Sequence, residues 1–323
     1  MNNSDTYAIG IDLGATKIAA ALVSRQGEVL ASRQVLTEAR QGTAAVLDRI
    51  AAHVNELSGL VSARQLMGVG IGTPGQVDPT TGVVRNAVNL GWDEVELAAE
   101  VRLRLSRLLP IWVQKDANAG ALGEYIFGAG RGCPDFVYLG IGSGLGGGVV
   151  ANGRLVSGVN QNAAEIGHLS LDPQGLLCNC GNRGCAETVI SGPGLHALTE
   201  QFLVTRRYPS RLEAWKDLRT SQIVEAAKEG DALAQAAIGE VGRCLGIVMA
   251  ACVALLNPAR LVLGGGLGLA AFDLFLPEAI RELQLRTLAA SYVSLEIIPS
   301  TLVSPSIGAA SLAWYYNLET ERR

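Results

Sequence analysis

The chain has no basic excess. Its 26 lysines and arginines are outnumbered by 30 aspartates and glutamates, for a net charge of −4. Nucleic acid and anionic membrane both require a basic face, so neither is expected as the main partner. Long hydrophobic runs are also missing. The longest apolar stretch, CLGIVMAACVALL at 244–256, is too short to span a bilayer and stops at Asn257-Pro258, which predicts a buried core helix. The N-terminal MNNSDTYAIGIDLG has no basic segment leading into an apolar one, so no secretory signal is expected. No low-complexity linker interrupts the chain, so its parts are expected to be tightly connected. No GxxxxGK[ST] occurs, which excludes a P-loop, and no glycine turn has the GxGxxG context of a Rossmann unit. Histidine is scarce, with three residues, and there are six cysteines.

What is present is 323 residues at 49% hydrophobic content, enough for a sizeable core and, by length, two domains. Short apolar runs broken by glycine predict strands at 7–12, 18–23, 28–35 and 66–71. Apolar residues at helical spacing (Val46, Leu47, Ile50, Val54, Leu57) predict a helix over 43–57, and 94–109 also reads as helical. Strand 111–113 follows Pro110. A strand at 136–141 running into a glycine turn repeats the opening layout, and 149–151 and 260–263 are further strands. Strands alternating with helices in two similar halves predict duplicated α/β units around a cleft.

Three glycine-rich turns follow strands: DLGATK at 12–17, GIGSGLGGG at 140–148 and LGGGLG at 263–268. Glycine lets backbone N–H groups approach an anion without a Cβ in the way. The hydroxyls of Thr16 and Ser143 can donate to phosphate oxygens, and Lys17 can supply charge. One such turn is weak evidence; three point to a nucleotide. Separately, 167–187 (GHLSLDPQGLLCNCGNRGCAE) holds His168, Cys178, Cys180 and Cys185, flanked by Glu165 and Glu187. It reads as a metal site, a redox site or a loop that happens to carry thiols. In a cytoplasmic protein, the expected setting here, thiols stay reduced and clustered cysteines more often bind metal. Asp116 follows strand 111–113 and the pair Gln114-Lys115, at the strand end where α/β sites gather, although an aspartate there also serves as a helix cap.

These motifs carry a resemblance over nearly the whole chain. GIDLGATK (10–17), DANAGALGE (116–124), the turn at 140–148 and EIGH followed by CNCGNRGCAE (165–187) resemble the sugar kinases of the ROK family, within the actin-like ATPase superfamily. The last of these is the most specific. The resemblance implies a two-lobed α/β actin-like ATPase (ribonuclease H-like) fold. Residues 1–115 would form a small lobe to which the C-terminal helix, 305–323, returns. Residues 116–304 would form a large lobe with a zinc-binding loop.

The resemblance further implies one zinc held by His168, Cys178, Cys180 and Cys185. Three thiolates and an imidazole form a closed tetrahedral set, the pattern of structural zinc. Glu165, His168, Glu187, Asn89, Asn118 and Gly75 would serve the sugar, with one ring nitrogen of His168 on metal and the other on a hydroxyl. Asp116 would be the general base on the sugar's 6-hydroxyl. Asp12 would hold magnesium through water, and Gly14, Thr16, Lys17, Ser143, Gly144, Gly265 and Gly266 would contact ATP. Trp92 reads as a core aromatic.

The implied function is ATP-dependent phosphorylation of a hexose, with glucose favoured by the NLGW loop (89–92). The alternatives are an N-acetylmannosamine or other hexose kinase, or a non-catalytic sugar-sensing regulator. The family's repressors carry a DNA-binding segment before the first phosphate motif; with Asp12 so near the start, none is expected. A homodimer is expected. One departure stands out: many members have Glu-Asn before the aspartate, where this chain has Gln114-Lys115. A lysine there either tunes the base and the sugar contacts or points away.

Overall fold

A computed structural model describes residues 6–205, 208–214 and 218–321. The first sheet is built from β1 (Tyr7–Leu13), β2 (Lys17–Ser24), β3 (Val29–Leu36), β4 (Leu66–Thr73) and, further along the chain, a strand at Ile111–Lys115, in the order β3-β2-β1-β4 and then that strand. The hairpin β1–β2 closes Leu13 on Ile18, and β1 runs parallel to β4. Helix α1 (Thr43–Ser58) buries Val46, Leu47, Ile50, Val54 and Leu57, the face its apolar spacing dictates. These side chains join Ile9, Ile11, Leu13, Ile18 and Ile71 in one core.

Three short strands, β5 (Gln76–Asp78), β6 (Val83–Ala87) and β7 (Trp92–Val95), form a small antiparallel sheet. The helical reading of 94–109 holds only in its middle. Its first residues pair with β6, and only α2 (Leu97–Arg104) is helical before the strand β8 (Ile111–Lys115). Trp92 lies in the core at 3% exposure, as its reading as a core aromatic anticipates.

After α3 (Asp116–Ile126) comes a second sheet. It contains β9 (Phe136–Ile141), β10 (Leu145–Ala151), β11 (Arg154–Leu155), β12 (Arg260–Gly264) and β13 (Glu296–Pro299) in the order β11-β10-β9-β12-β13. The helices α4 (Gly192–Val204), α5 (Thr220–Lys228), α6 (Ala232–Leu256), α7 (Gly266–Ala270), α8 (Phe272–Arg286) and α9 (Ala289–Tyr292) accompany it, and α10 (Pro305–Glu321) ends the described chain.

Helix α6 is long and apolar enough to cross a membrane by composition alone, yet 61% of its most apolar window is buried inside the protein. It is a core helix, as the sequence predicts. Asp231 caps its start by accepting from the Ala234 N–H at 3.0 Å, and it ends at Asn257 in the left-handed region (φ 44°), just before Pro258. Gly242 and Gly246 let the α8 backbone at Phe275 and Ala279 come within contact.

By contact the chain divides into two compact units: Met1–Pro134 with Gly148–Ala163 and Thr301–Arg323, and Asp135–Gly147 with Ala164–Ser300. In the first, α10 covers the sheet face opposite α1. Its Ile307, Ala310, Ala313 and Trp314 pack on Ala8, Ala21 and Val23, and Trp314 meets Phe127 edge-on at 5.2 Å. Two glycines make this possible. A Cβ on Gly10 would lie 1.8 Å from the Ser306 carbonyl oxygen, and one on Gly70 would lie 1.9 Å from that of Ala309. Helix backbone therefore rests directly on strand backbone.

Candidate active site

In the first unit the parallel strands β1, β4 and β8 end together. Asp12 is in register with Gly72, Gly72 with Gln114, and Thr73 with Lys115. Asp116 follows as the first residue of α3, where its Oδ1 accepts the Ala117 N–H at 2.7 Å. A Cβ on Gly72 would be 3.6 Å from the Asp116 Cα, so a glycine there leaves room for the start of α3. Asp116 is exposed and Asp12 partly buried. Burial first, and the charge of Asp116 second, push the Asp12 carboxyl up to about 6, while Lys17 pulls it down. Two carboxylates thus face one edge of the sheet.

The turn from Gly14 to Lys17 is closed by the Gly14 N–H donating to the Lys17 carbonyl at 3.0 Å, and Thr37 ties it from the side by donating to the Gly14 carbonyl at 2.7 Å. Thr16 and Lys17 remain exposed. Gly75 has φ 95°, and a Cβ on it would lie 2.8 Å from the Arg85 carbonyl oxygen, so glycine is needed for β6 to pass behind it. Asn89, after β6, is exposed. Asn118 is not: it is 1% exposed, its amide donates to Gln114 Oε1 at 3.1 Å, and its own Oδ1 has no partner among the described residues. Gln114 in turn donates to the Tyr316 hydroxyl of α10 at 3.2 Å. Sequence reasoning offers no signal for that bond, whose partners lie 202 residues apart.

In the second unit two glycine turns lie side by side. Strands β9 and β12 are parallel, with Gly140 opposite Gly264. The turn at Gly142–Gly144 is closed by the Gly142 N–H on the Gly144 carbonyl at 2.9 Å. Gly265, at φ 81°, rests on the Ile141 backbone, whose oxygen a Cβ would approach to 2.4 Å. Ser143 and Gly266 are exposed at these turns. Glu187 reaches the first turn, since a Cβ on Gly144 would sit 2.9 Å from its Oε2.

Glu187 also marks one end of the cysteine loop, which lies between short 3-10 turns at Ile166–His168 and Ala186–Thr188. The loop folds by backbone bonds: Leu171 N–H on Gly184, Gly184 N–H on Leu176, Cys178 N–H on Asn182 and Gly181 N–H on Cys178. Gly184, at φ 69°, presses on Asp172 so closely that a Cβ would overlap its carbonyl oxygen.

The result gathers His168, Cys178, Cys180 and Cys185 with all ligand atoms within 4.8 Å of one another. Cys180 Sγ is 3.6 Å from Cys185 Sγ, and Cys178 Sγ is 3.8 Å from His168 Nδ1. These spacings fit donors about 2.0–2.3 Å from a shared tetrahedral cation and are far too long for a disulfide. Burial pushes the Cys178 thiol up to about 12 and raises Cys185, whereas the Asn182 backbone lowers Cys180. Zinc would release those protons on binding, so its affinity is expected to fall with acidity. Cys178 also donates to Glu187 Oε1 at 3.1 Å, and His168 Nδ1 lies 3.7 Å from the same oxygen. The cluster and Glu187 are therefore one assembly.

Cys180→Ser removes one of the four clustered donors and is expected to weaken the uptake of added zinc about tenfold or more. Metal analysis after dialysis against zinc checks it; an affinity equal to the parent's would sink it.

Comparison with known proteins identifies the family. The ROK family model matches residues 8–315. A glucokinase from Halalkalibacterium halodurans is 36% identical over 85% of this chain and 84% of its own. A xylose repressor from Caldicellulosiruptor bescii is 32% identical over 94% of this chain and 77% of its own. Among solved structures, a ROK family glucokinase from Streptomyces griseus in complex with glucose and AMPPNP superposes with a TM-score of 0.84 at 32% identity, covering 95% of this chain and 99% of that one.

Proposed function

The chain belongs to the ROK family, and on that footing we propose that it is an ATP-dependent glucokinase, transferring the γ-phosphoryl group of ATP to the 6-hydroxyl of glucose. Its fold is the two-domain α/β fold of the ROK kinases. One observation of the chain itself carries the reading: the strand register that brings Asp12 and Asp116 to the same edge of the first sheet.

Phosphoryl transfer asks little covalent work of a protein; it asks for placement, charge neutralisation and an acceptor for the hydroxyl proton. Asp116, exposed at the start of α3, is that acceptor. It orients the 6-hydroxyl and takes its proton as the oxygen attacks phosphorus. Asp12 is suited to hold magnesium through water, because a half-buried carboxylate crowded by a second one gains from a hard cation. Magnesium supplies charge neutralisation on the phosphates. The turns at Gly14–Lys17, Gly142–Gly144 and Gly265–Gly266 offer backbone N–H groups to phosphate oxygens, with Thr16, Ser143 and Lys17 beside them. Glu165, Glu187, His168 and Asn89 accept from or donate to sugar hydroxyls. Asn118, buried on Gln114, serves the sugar by holding the β8–α3 junction. His168, with Cys178, Cys180 and Cys185, would hold zinc through one ring nitrogen, leaving the other for a sugar hydroxyl. We place the enzyme in the cytoplasm, at the entry of glucose into glycolysis, as a homodimer.

The test is ADP release with Mg-ATP against glucose, mannose, N-acetylmannosamine, N-acetylglucosamine, fructose and allose. Highest kcat/KM on glucose supports the reading, and preference for an acetylated sugar keeps the chemistry and moves the substrate. The similarity to a sugar repressor gives the second reading its footing: sugar binding without turnover on any hexose would make the chain a sensor.

The Asp12 carboxyl is raised from 3.8 to about 6. Its proton is held more tightly in the folded chain than in the unfolded one, so protonation favours folding. Its ionisation costs stability as pH rises from about 4 to about 6. The cost at neutral pH is at most about 3 kcal/mol, less what solvent screens. Asp12→Asn is therefore expected to raise the Tm of the nucleotide-free protein at pH 7.5, to raise it less at pH 5, and to cut kcat. Equal or lower Tm at pH 7.5 would contradict this.

A further inference from the structure

Lys115 stands next to the proposed base and is 6% exposed. A lysine so far from water needs a partner for its charge. One partner is a main-chain oxygen: Nζ donates to the Ala163 carbonyl at 3.0 Å. Ala163 closes a loop, since its N–H donates to the Ser157 carbonyl at 3.0 Å, and a Cβ on Gly158 would lie 3.2 Å from its side chain. Within and just after this loop, Gln161 (φ 60°) and Ala164 (φ 62°) hold left-handed conformations without being glycine. Such conformations persist only where the surroundings over-determine them. The next residue is Glu165.

We propose that Lys115 is a positioning residue of the sugar site, its ammonium bracing the Ala163 carbonyl so that the strained loop at 157–164 delivers Glu165 in a fixed place. The proposal rests on the kinase reading for its sugar, not for its geometry. A charged donor on a carbonyl is stronger than a neutral one and, with three donor hydrogens, Nζ meets the carbonyl without a demanding orientation. The side chain works on the loop and not on the transferring group. Its loss should therefore appear in sugar binding rather than in turnover.

The experiment compares Lys115→Met, which keeps the length and loses the donor, with Lys115→Arg, which keeps donor and charge. Steady-state kinetics with glucose and Mg-ATP are read beside hydrogen exchange over 157–166. Lys115→Met is expected to raise the KM for glucose about ten- to hundredfold, the loss of one charge-assisted bond. Its kcat and KM for ATP should stay within roughly threefold of the parent, and exchange should quicken in 157–166 alone. Lys115→Arg should restore most of both. Unchanged exchange, a KM for glucose equal to the parent's, or a fall confined to kcat would overturn the proposal. Should Lys115→Met prove insoluble, Lys115→Leu, which likewise carries no donor, is read in its place against the same outcomes. Parent protein without turnover on any hexose would sink the kinase reading instead, and exchange in the loop would then decide the clamp by itself.

Discussion

Asp116→Asn is expected to lower kcat on glucose by about 10²- to 10⁴-fold, the usual worth of a positioned general base, while the KM for glucose moves little. The substitution is chosen for what it preserves. Asp116 Oδ1 accepts the Ala117 N–H at the first turn of α3, and an asparagine oxygen accepts the same bond, so the helix start should survive. What disappears is the ability to take a proton. One charge also leaves the neighbourhood of Asp12, whose carboxyl is raised in part by Asp116. The Asp12 carboxyl should consequently titrate lower in the variant. Initial rates with Mg-ATP, alongside a melting curve to show an intact fold, decide the matter. A variant retaining more than a tenth of the parent kcat would remove Asp116 from the role of base.

Gly70→Val is expected to cost more stability than any other change considered, beyond about 4 kcal/mol, because its cause is overlap with backbone that has nowhere to go. The new Cβ alone would sit 1.9 Å from the Ala309 oxygen and 3.1 Å from the Leu312 Cβ. Helix α10 would have to lift off β4 and β1, uncovering Ile307, Ala310, Ala313 and Trp314 on one side and Ala8, Ala21 and Val23 on the other. Thermal melts by circular dichroism should show a Tm lowered by more than ten degrees or no soluble protein at all. Gly266→Ala is the contrast. Nothing lies within 4 Å of its added Cβ, so the fold should hold, and any effect should fall on nucleotide use. A Gly70→Val protein melting with the parent would refute the packing argument.

The glycines also show what could and could not be read in advance. Strands β1, β2, β4 and β9, the helix α1 and the buried character of α6 are readable because apolar periodicity and burial coincide there. The grouping of His168, Cys178, Cys180 and Cys185 is legible only through the family resemblance, since the residues alone leave metal, redox and incidental thiols open, and the loop does bring the four together. The run at 144–148 is only half readable. It looks like one phosphate turn, yet Leu145 already begins β10. Gly147 is there because a Cβ would strike Ile166, and Gly148 because one would strike Ala117 and Ala121. Glycine for close packing and glycine for anion approach leave the same letter. The small sheet β5–β7 is missed for another reason. Its strands are three to five residues long, and Arg85, Asn86, Asp93 and Glu94 give them too little apolar alternation to set against the leucines of α2. The bond from Gln114 to Tyr316 lies beyond any local pattern, since nothing near residue 114 announces a residue two hundred positions away.

Helix α10 sets the timetable of biosynthesis. The strands it covers, β1, β2 and β4, leave the ribosome well before it, and the helix leaves only after all of Ala164–Ser300 has been made. At roughly 5–20 residues per second, the alanine- and valine-lined back of the opening sheet waits on the order of ten seconds to a minute for its lid. During that interval the nascent chain offers a bare sheet surface to chaperones and to its neighbours. The 137 intervening residues of Ala164–Ser300 can meanwhile complete their own core. Maturation of the opening sheet would then wait for α10 to dock on β1, β2 and β4.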